Sequence, residues 1–191
     1  RLPDGTVWVH APPIWSPAYQ DALASLGAVA HMVAITPVQA GRLASWAAHN
    51  EGLRCWAAAS VIEDAIQAGH RLPPVTPIDA GCGAWVDTIE VRTARGNAHE
   101  EALFLHLPSR SLIVGGLLQT RPATAVVGLE RAVARLVGRA PSPALTPLRT
   151  QLQFFGQRRT LVALIRWALA IEPARLIPIR GPVTDAPSRA F

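Results

Sequence analysis

Between Thr6 and Gly69 the chain alternates three times between a short β-forming run and a helix-forming stretch, which confines it to a small set of folds. Thr6 to His10 (TVWVH) is rich in β-formers and follows the turn signal Pro3-Asp4-Gly5. Ser16-Pro17 supplies an N-cap and a first-turn proline, and the helix they open runs through Leu23 and Leu26 to Gly27. Val29 to Ile35 reads as a buried strand. Pro37 opens a second helix with Leu43, Trp46 and Ala47 on one face, stopping near Asn50-Glu51-Gly52. Arg54 to Ala57 is a further strand, and Ser60 caps a helix through Val61, Ile62 and Ile66 that ends at Gly69. Strands joined by crossover helices give βαβ units and a mainly parallel sheet.

After a Pro- and Gly-rich connector, Arg71 to Gly83, the rhythm changes. Val86 to Arg92 alternates, and Ala102 to Leu107 and Ser111 to Val114 are strands joined by the hairpin signal Pro108-Ser109-Arg110. Helices return at Thr124 to Val137, Pro147 to Phe155 and Thr160 to Ala170, and Arg175 to Ile179 closes the pattern before Gly181-Pro182. A β-meander after βαβ units indicates two packed sheets with helices outside. No boundary divides the chain, so a single domain over residues 1–191 is expected. Because the sequence opens at Arg1 inside a strand–turn unit, one or more further N-terminal strands are expected to precede it.

Half the residues are hydrophobic and 16% are charged, which excludes a disordered chain. No apolar run reaches the ~18 residues that cross a bilayer; Leu161 to Ile171 is short and interrupted by Arg166, so no membrane association is expected. Cys55 and Cys82 are too few for a disulfide framework or a four-Cys zinc site, and a cytoplasmic location is the expectation. The formal charge is +5 and every basic residue is Arg. This fits either a solvated surface or an anionic partner.

LPDGTVWVH at the front, the LASWAA helix, FLHLPSRSLIVGGLLQ in the middle and RLIPIRGPV near the end stand in an order that resembles the metallo-β-lactamase fold. Within that superfamily the chain is similar to an uncharacterised bacterial domain-of-unknown-function family with degenerate metal ligands. The resemblance implies a four-layer αββα sandwich. Active relatives hold one or two metals through an HxHxDH crossover, a His before the meander, an Asp after it and a His before the last Gly. A divalent ion so held lowers the pKa of bound water and yields hydroxide near neutral pH. Carried over by position, the crossover ligands become Ala34, Thr36, Val38 and Gln39. The pre-meander His falls at Asn97 or Ala98 with His99 adjacent, the bridging Asp becomes Gly116, and the terminal His becomes Arg180. No metal and no other cofactor is therefore expected. Arg180 places a permanent cation where a metal would sit; it fills the cleft, pairs with an acid such as Asp185, or meets an anionic ligand.

None of the six His residues lies in an HxH or HExxH spacing, and a site from His99, Glu100, Glu101 and His106 is opposed by the alternation of side chains along a strand. No Ser lies in a GxSxG elbow; Ser60, Ser109 and Ser111 read as cap and turn residues. Arg131, Arg135 and Arg139 share one helix stripe without interleaved aromatic or amide residues, a weak nucleic-acid surface and more simply a solvated face. Trp15, beside Pro12 and Pro13, is a candidate for lining a cleft or an interface, the alternative being ordinary packing of a loop over the core.

The expected protein is thus an αββα sandwich that has lost its metal ligands and binds a small anionic ligand or a partner without catalysis. Its vestigial cleft is drawn from Thr36, Gln39, Asn97, His99, Gly116 and Arg180. One alternative is an atypical hydrolase of an anionic ester that uses Arg180 with a cleft His, either His99 or His106. Another is an interaction module, such as a homodimer, or a weak anion or nucleic-acid binder through Arg131 and Arg135.

Overall fold

The computed structural model describes residues 1–78, 85, 87–97, 100–116, 119–120, 144–145 and 154–185. The chain divides into two compact units, Arg1–Thr88 and Ile89–Phe191.

In the first unit the element order is β1 (Val7–His10), α1 (Pro17–Ala24), β2 (Val29–Ala34), α2 (Pro37–His49), β3 (Arg54–Ala57), α3 (Ala59–Gln67) and β4 (Val75–Pro77). The four strands form one sheet in sequential order, and every neighbouring pair is parallel. This is the parallel sheet that the alternation predicts. Strand β4 adds to it from within the Pro-rich connector, where three residues give no periodicity to read.

Local chemistry accounts for most of the boundaries. Asp4 Oδ1 accepts from the Thr6 amide at 2.9 Å and the Thr6 hydroxyl at 2.7 Å, closing the turn before β1. Ser16 caps α1 by accepting from the Tyr19 amide at 3.3 Å, and Pro17 follows at the first helical position. Gly27 has a φ of +145°, and a Cβ there would run into the Gly5 carbonyl oxygen, so only glycine fits. Three sequence-based details are corrected. Helix α1 stops at Ala24, which leaves Leu26 exposed; α3 starts after Ala58 rather than Ser60 and has no side-chain cap; and Ile66 lies on its solvent face.

Alternation along the strands gives this sheet two different faces. Met32, Ala34, Cys55 and Ala57 pack with Leu43 and Trp46 of α2 and Val61 and Ala65 of α3 into one core. Trp46, fully buried, donates its indole N–H to the Pro13 carbonyl at 2.9 Å. Trp15 packs against the same core and stacks on His49 with ring centroids 3.6 Å apart. The other face carries Trp8, His10, His31 and Trp56. Trp8 stacks on His10, and Trp85 meets both Trp8 and Trp56 edge-on, each at 5.7 Å. The Trp56 indole donates to His31 Nδ1 at 3.2 Å, which places the remaining imidazole proton on Nε2.

The second unit contains β5 (Ile89–Arg95), β6 (Glu100–His106), β7 (Ser111–Val114), β8 (Gln119–Thr120), β9 (Ala144–Leu145), α4 (Arg158–Ala170), β10 (Arg175–Pro178) and β11 (Thr184–Asp185). Its main sheet has the order β11-β10-β7-β6-β5; β8 and β9 pair separately. Strands β5, β6 and β7 form the expected antiparallel meander, and β10 joins β7 in parallel. The first meander strand is Ile89–Arg95 rather than Val86–Arg92, and the segment that reads as a tail contributes β11, antiparallel to β10. Leu103, Leu105, Leu112, Val114 and Leu176 make a core with Leu161, Leu164 and Ile165 of α4. The expected helices at 124–137 and 147–155 lie almost wholly outside the described residues, as do Cys82, Arg131, Arg135 and Arg139. Among the described residues no helix is long and apolar enough to cross a membrane.

Burial holds His10 well below its ordinary range, at about 4, and lowers His31 as well, with the Arg54 charge adding to the effect and Asp4 opposing it. Both rings are neutral in the folded state at pH 7, whereas in the unfolded chain each binds a proton near pH 6.5. The stability His10 contributes is present above pH 6.5 and is lost as pH falls toward 4, and His31 acts in the same direction. His10 alone accounts for about 3 kcal/mol across that window. Urea denaturation between pH 7 and 4 is expected to show this loss, with a flatter profile for His10→Phe; an unchanged slope in that variant would contradict the assignment.

Candidate functional site

The loop from β2 to α2 is closed by its own polar groups. Thr36 is the N-cap of α2, and its hydroxyl accepts from the Gln39 amide at 3.3 Å. Gln39 Oε1 turns back and accepts from the Ile35 amide at 3.0 Å. This is a variant of the capping box, with each side chain satisfying an amide at the other's end of the turn. Both side-chain oxygens that the crossover could offer a ligand are thus engaged with backbone. Ala34, on the core side of β2, is fully buried, and Val38 is exposed.

In the second unit, Gly116, Glu101 and Asn97 gather toward one end of the five-stranded sheet. Strand β6 runs antiparallel to β7 with Leu103 opposite Val114. An ideal Cβ on Gly116 would lie 2.8 Å from Glu101 Oε1. Glu101 is only 3% exposed, because it shares the core face of β6 with Leu103 and Leu105. Its carboxylate therefore occupies the space a side chain at 116 would need. Asn97, just beyond β5, donates from Nδ2 to the Phe155 carbonyl at 2.6 Å. Arg180 follows β10, whose last residue Pro178 pairs with Val114, so Arg180 and Gly116 leave the same end of neighbouring parallel strands. Arg180 is exposed. Asp185, suggested as its partner, instead accepts from Arg175 Nε at 2.8 Å. His99 lies outside the described residues.

His106 does not belong to this end. It is the last residue of β6, five residues from Glu101, which corresponds to about 17 Å along an extended strand. Glu101 and His106 also fall on opposite faces, so a metal group combining Glu100, Glu101 and His106 does not form. Pairing His106 with Arg180 is ruled out on the same ground. Glu101 is the residue that sequence reasoning misses as a cleft neighbour; its spacing of two from Leu103 already puts it on the buried face.

No protein-family model matches the sequence, and no curated protein matches it. Solved structures do. TMB-1, a protein described for its substrate and inhibitor binding, superposes with a TM-score of 0.58 at 14% identity, covering 95% of this chain and 75% of that one. TTHA1623, solved in a di-iron-bound form, gives 0.55 at 18% identity over 95% and 85% of the two chains. The metallo-β-lactamase FIM-1 from Pseudomonas aeruginosa, in a mono-zinc form, gives 0.55 at 14% over 93% and 73%. The chain thus has the metallo-β-lactamase fold, and the αββα class expected from its sequence is correct.

The described residues do not fit the metal this fold carries elsewhere. Thr36 and Gln39 accept backbone amides, Asn97 directs an N–H at a carbonyl, Gly116 has no side chain and Arg180 is a fixed cation. Among the described residues no three His, Cys, Asp or Glu side chains form a group able to hold an ion.

The contact between Glu101 and position 116 yields a test. Gly116→Asp would set a second carboxylate against a buried one, at an expected cost of about 2–4 kcal/mol at pH 7. Adding Glu101→Gln should recover about 1 kcal/mol or more of that loss. Equal and additive costs, measured by urea denaturation, would show that the two positions do not meet.

Proposed function

We propose that this protein binds a small anionic group on a metallo-β-lactamase scaffold and does not act as a metallohydrolase. One observation carries the reading. The side-chain oxygens of the crossover, Thr36 Oγ1 and Gln39 Oε1, serve as helix caps, so the segment is organised to close itself rather than to present ligands. The metals of TTHA1623 and FIM-1 consequently do not transfer to this chain, because a shared fold does not carry chemistry with it.

Arg180 gives the reading its ligand class. A guanidinium remains protonated at every ordinary pH, and its planar fork matches two oxygens of a phosphate or carboxylate. It stands exposed at the end of the sheet where Gly116 supplies backbone without a side chain. A cation in that place attracts anions and repels divalent metals. Hydrolysis of an anionic ester by Arg180 together with His106 is set aside, since the two lie at opposite ends of the sheet.

Calorimetric titration with inorganic phosphate and small carboxylates tests the proposal. Saturable binding is expected, weakened about 10- to 100-fold by Arg180→Gln through loss of a charge-assisted contact. Arg175→Gln, which removes a different exposed guanidinium, should leave it unchanged. Absence of saturable binding, or equal binding by the Arg180 variant, would overturn the reading.

A further inference from the structure

Opposite the end that carries Gly116 and Arg180, the meander hairpin brings three polar side chains into one chain of contacts. His106 ends β6, Ser111 begins β7, and the two are register partners. Between them Leu107 to Arg110 form a tight turn closed by the Arg110 amide to the Leu107 carbonyl at 3.2 Å. His106 Nδ1 lies 2.6 Å from Ser109 Oγ, and Ser109 Oγ lies 2.8 Å from Ser111 Oγ.

The turn is anchored. Arg110, in the left-handed region with a φ of +48°, extends its guanidinium to the Ile171 and Glu172 carbonyls, at 2.7 Å each. Its own carbonyl accepts from the Ala174 amide at 2.9 Å. These bonds tie the hairpin tip to the C-terminal end of α4, where backbone carbonyls are left without helical partners. Ser109 is thus an exposed hydroxyl on a fixed turn, with an imidazole nitrogen at the distance needed for proton transfer.

We propose that Ser109 is a nucleophile activated by His106, which reacts with small activated acyl esters. A serine hydroxyl is weakly nucleophilic alone and needs an adjacent base. Burial lowers the pKa of His106, so its imidazole is neutral and able to take a proton at neutral pH. A hydroxyl proton is free to rotate between acceptors. Ser109 donates to Ser111 in the structure; turning that hydroxyl proton onto His106 Nδ1, with the ring proton on Nε2, gives the reactive arrangement. Ser109 Oγ then bonds to the acyl carbon as the bond to the leaving oxygen breaks. The Ser109 proton passes to Nδ1 and on to the departing alkoxide or phenolate, leaving an acyl-serine and an alcohol. No metal and no redox partner enters the step, and it is independent of Arg180 and of the anion-binding reading.

The full chain treated with p-nitrophenyl acetate tests this through release of p-nitrophenol and peptide mass mapping. One acetyl group on Ser109 is expected, absent in Ser109→Ala. His106→Asn keeps a polar atom near the Nδ1 position but cannot take the proton, and should slow acetylation about 100-fold or more. Ser45→Ala, which removes a different exposed serine on α2, should react at the parent rate. Thermal melting of each variant separates lost chemistry from lost folding, and a variant that melts like the parent yet reacts slowly supports the assignment. Acetylation elsewhere with Ser109 untouched, or equal labelling by a folded His106→Asn protein, would overturn it.

Discussion

The amide of Ile35, one residue past β2, donates to Gln39 Oε1, and the conformation of the crossover from β2 to α2 depends on that bond. A strand that ends where a helix begins leaves backbone amides that must be satisfied. In this crossover Thr36 and Gln39 satisfy them with their own side chains, so the turn from β2 to α2 is stable without any outside group. Local backbone chemistry and metal binding compete for the same atoms here, and backbone chemistry has them.

The five-stranded sheet shows how topology distributes chemistry that sequence proximity suggests should be shared. Glu100, Glu101 and His106 lie within seven residues, yet the extended strand sends the acids to one end and the imidazole to the other. At the first end a buried carboxylate fills the space beside Gly116, and an exposed guanidinium leaves the neighbouring strand. At the second end a hairpin folds His106 back onto Ser109. The two ends carry different residue types and support separate tests.

Most of the fold is legible in the sequence because its strands alternate and two of its helices, α1 and α2, carry side-chain caps. Ser16-Pro17 and Pro37 mark two helix starts correctly, and the Leu43 and Trp46 face is buried as its spacing indicates. Strand β4 escapes because three residues in a Pro-rich segment have no period, and β11 because two residues after Gly181 carry no more signal than a tail. The site is less legible for a different reason. Gln39 is readable as a replaced ligand, but its backward turn to Ile35 depends on side-chain torsions. Ser109 reads as a turn former, which it is; that the same turn sets its hydroxyl against His106 follows from three-dimensional closure of residues three apart. Glu101 is legible in principle, since it keeps step with Leu103 and Leu105.

The crossover is organised by hydrogen bonds to its own backbone, and the proposed function requires that it hold no ion. Equilibrium dialysis of the chelator-free protein against zinc or manganese, followed by elemental analysis, measures it most directly. Far less than one metal per chain is expected at micromolar free ion, with no change on Gln39→Ala. One tightly held ion per chain, lost when Thr36 or Gln39 is replaced, would contradict it.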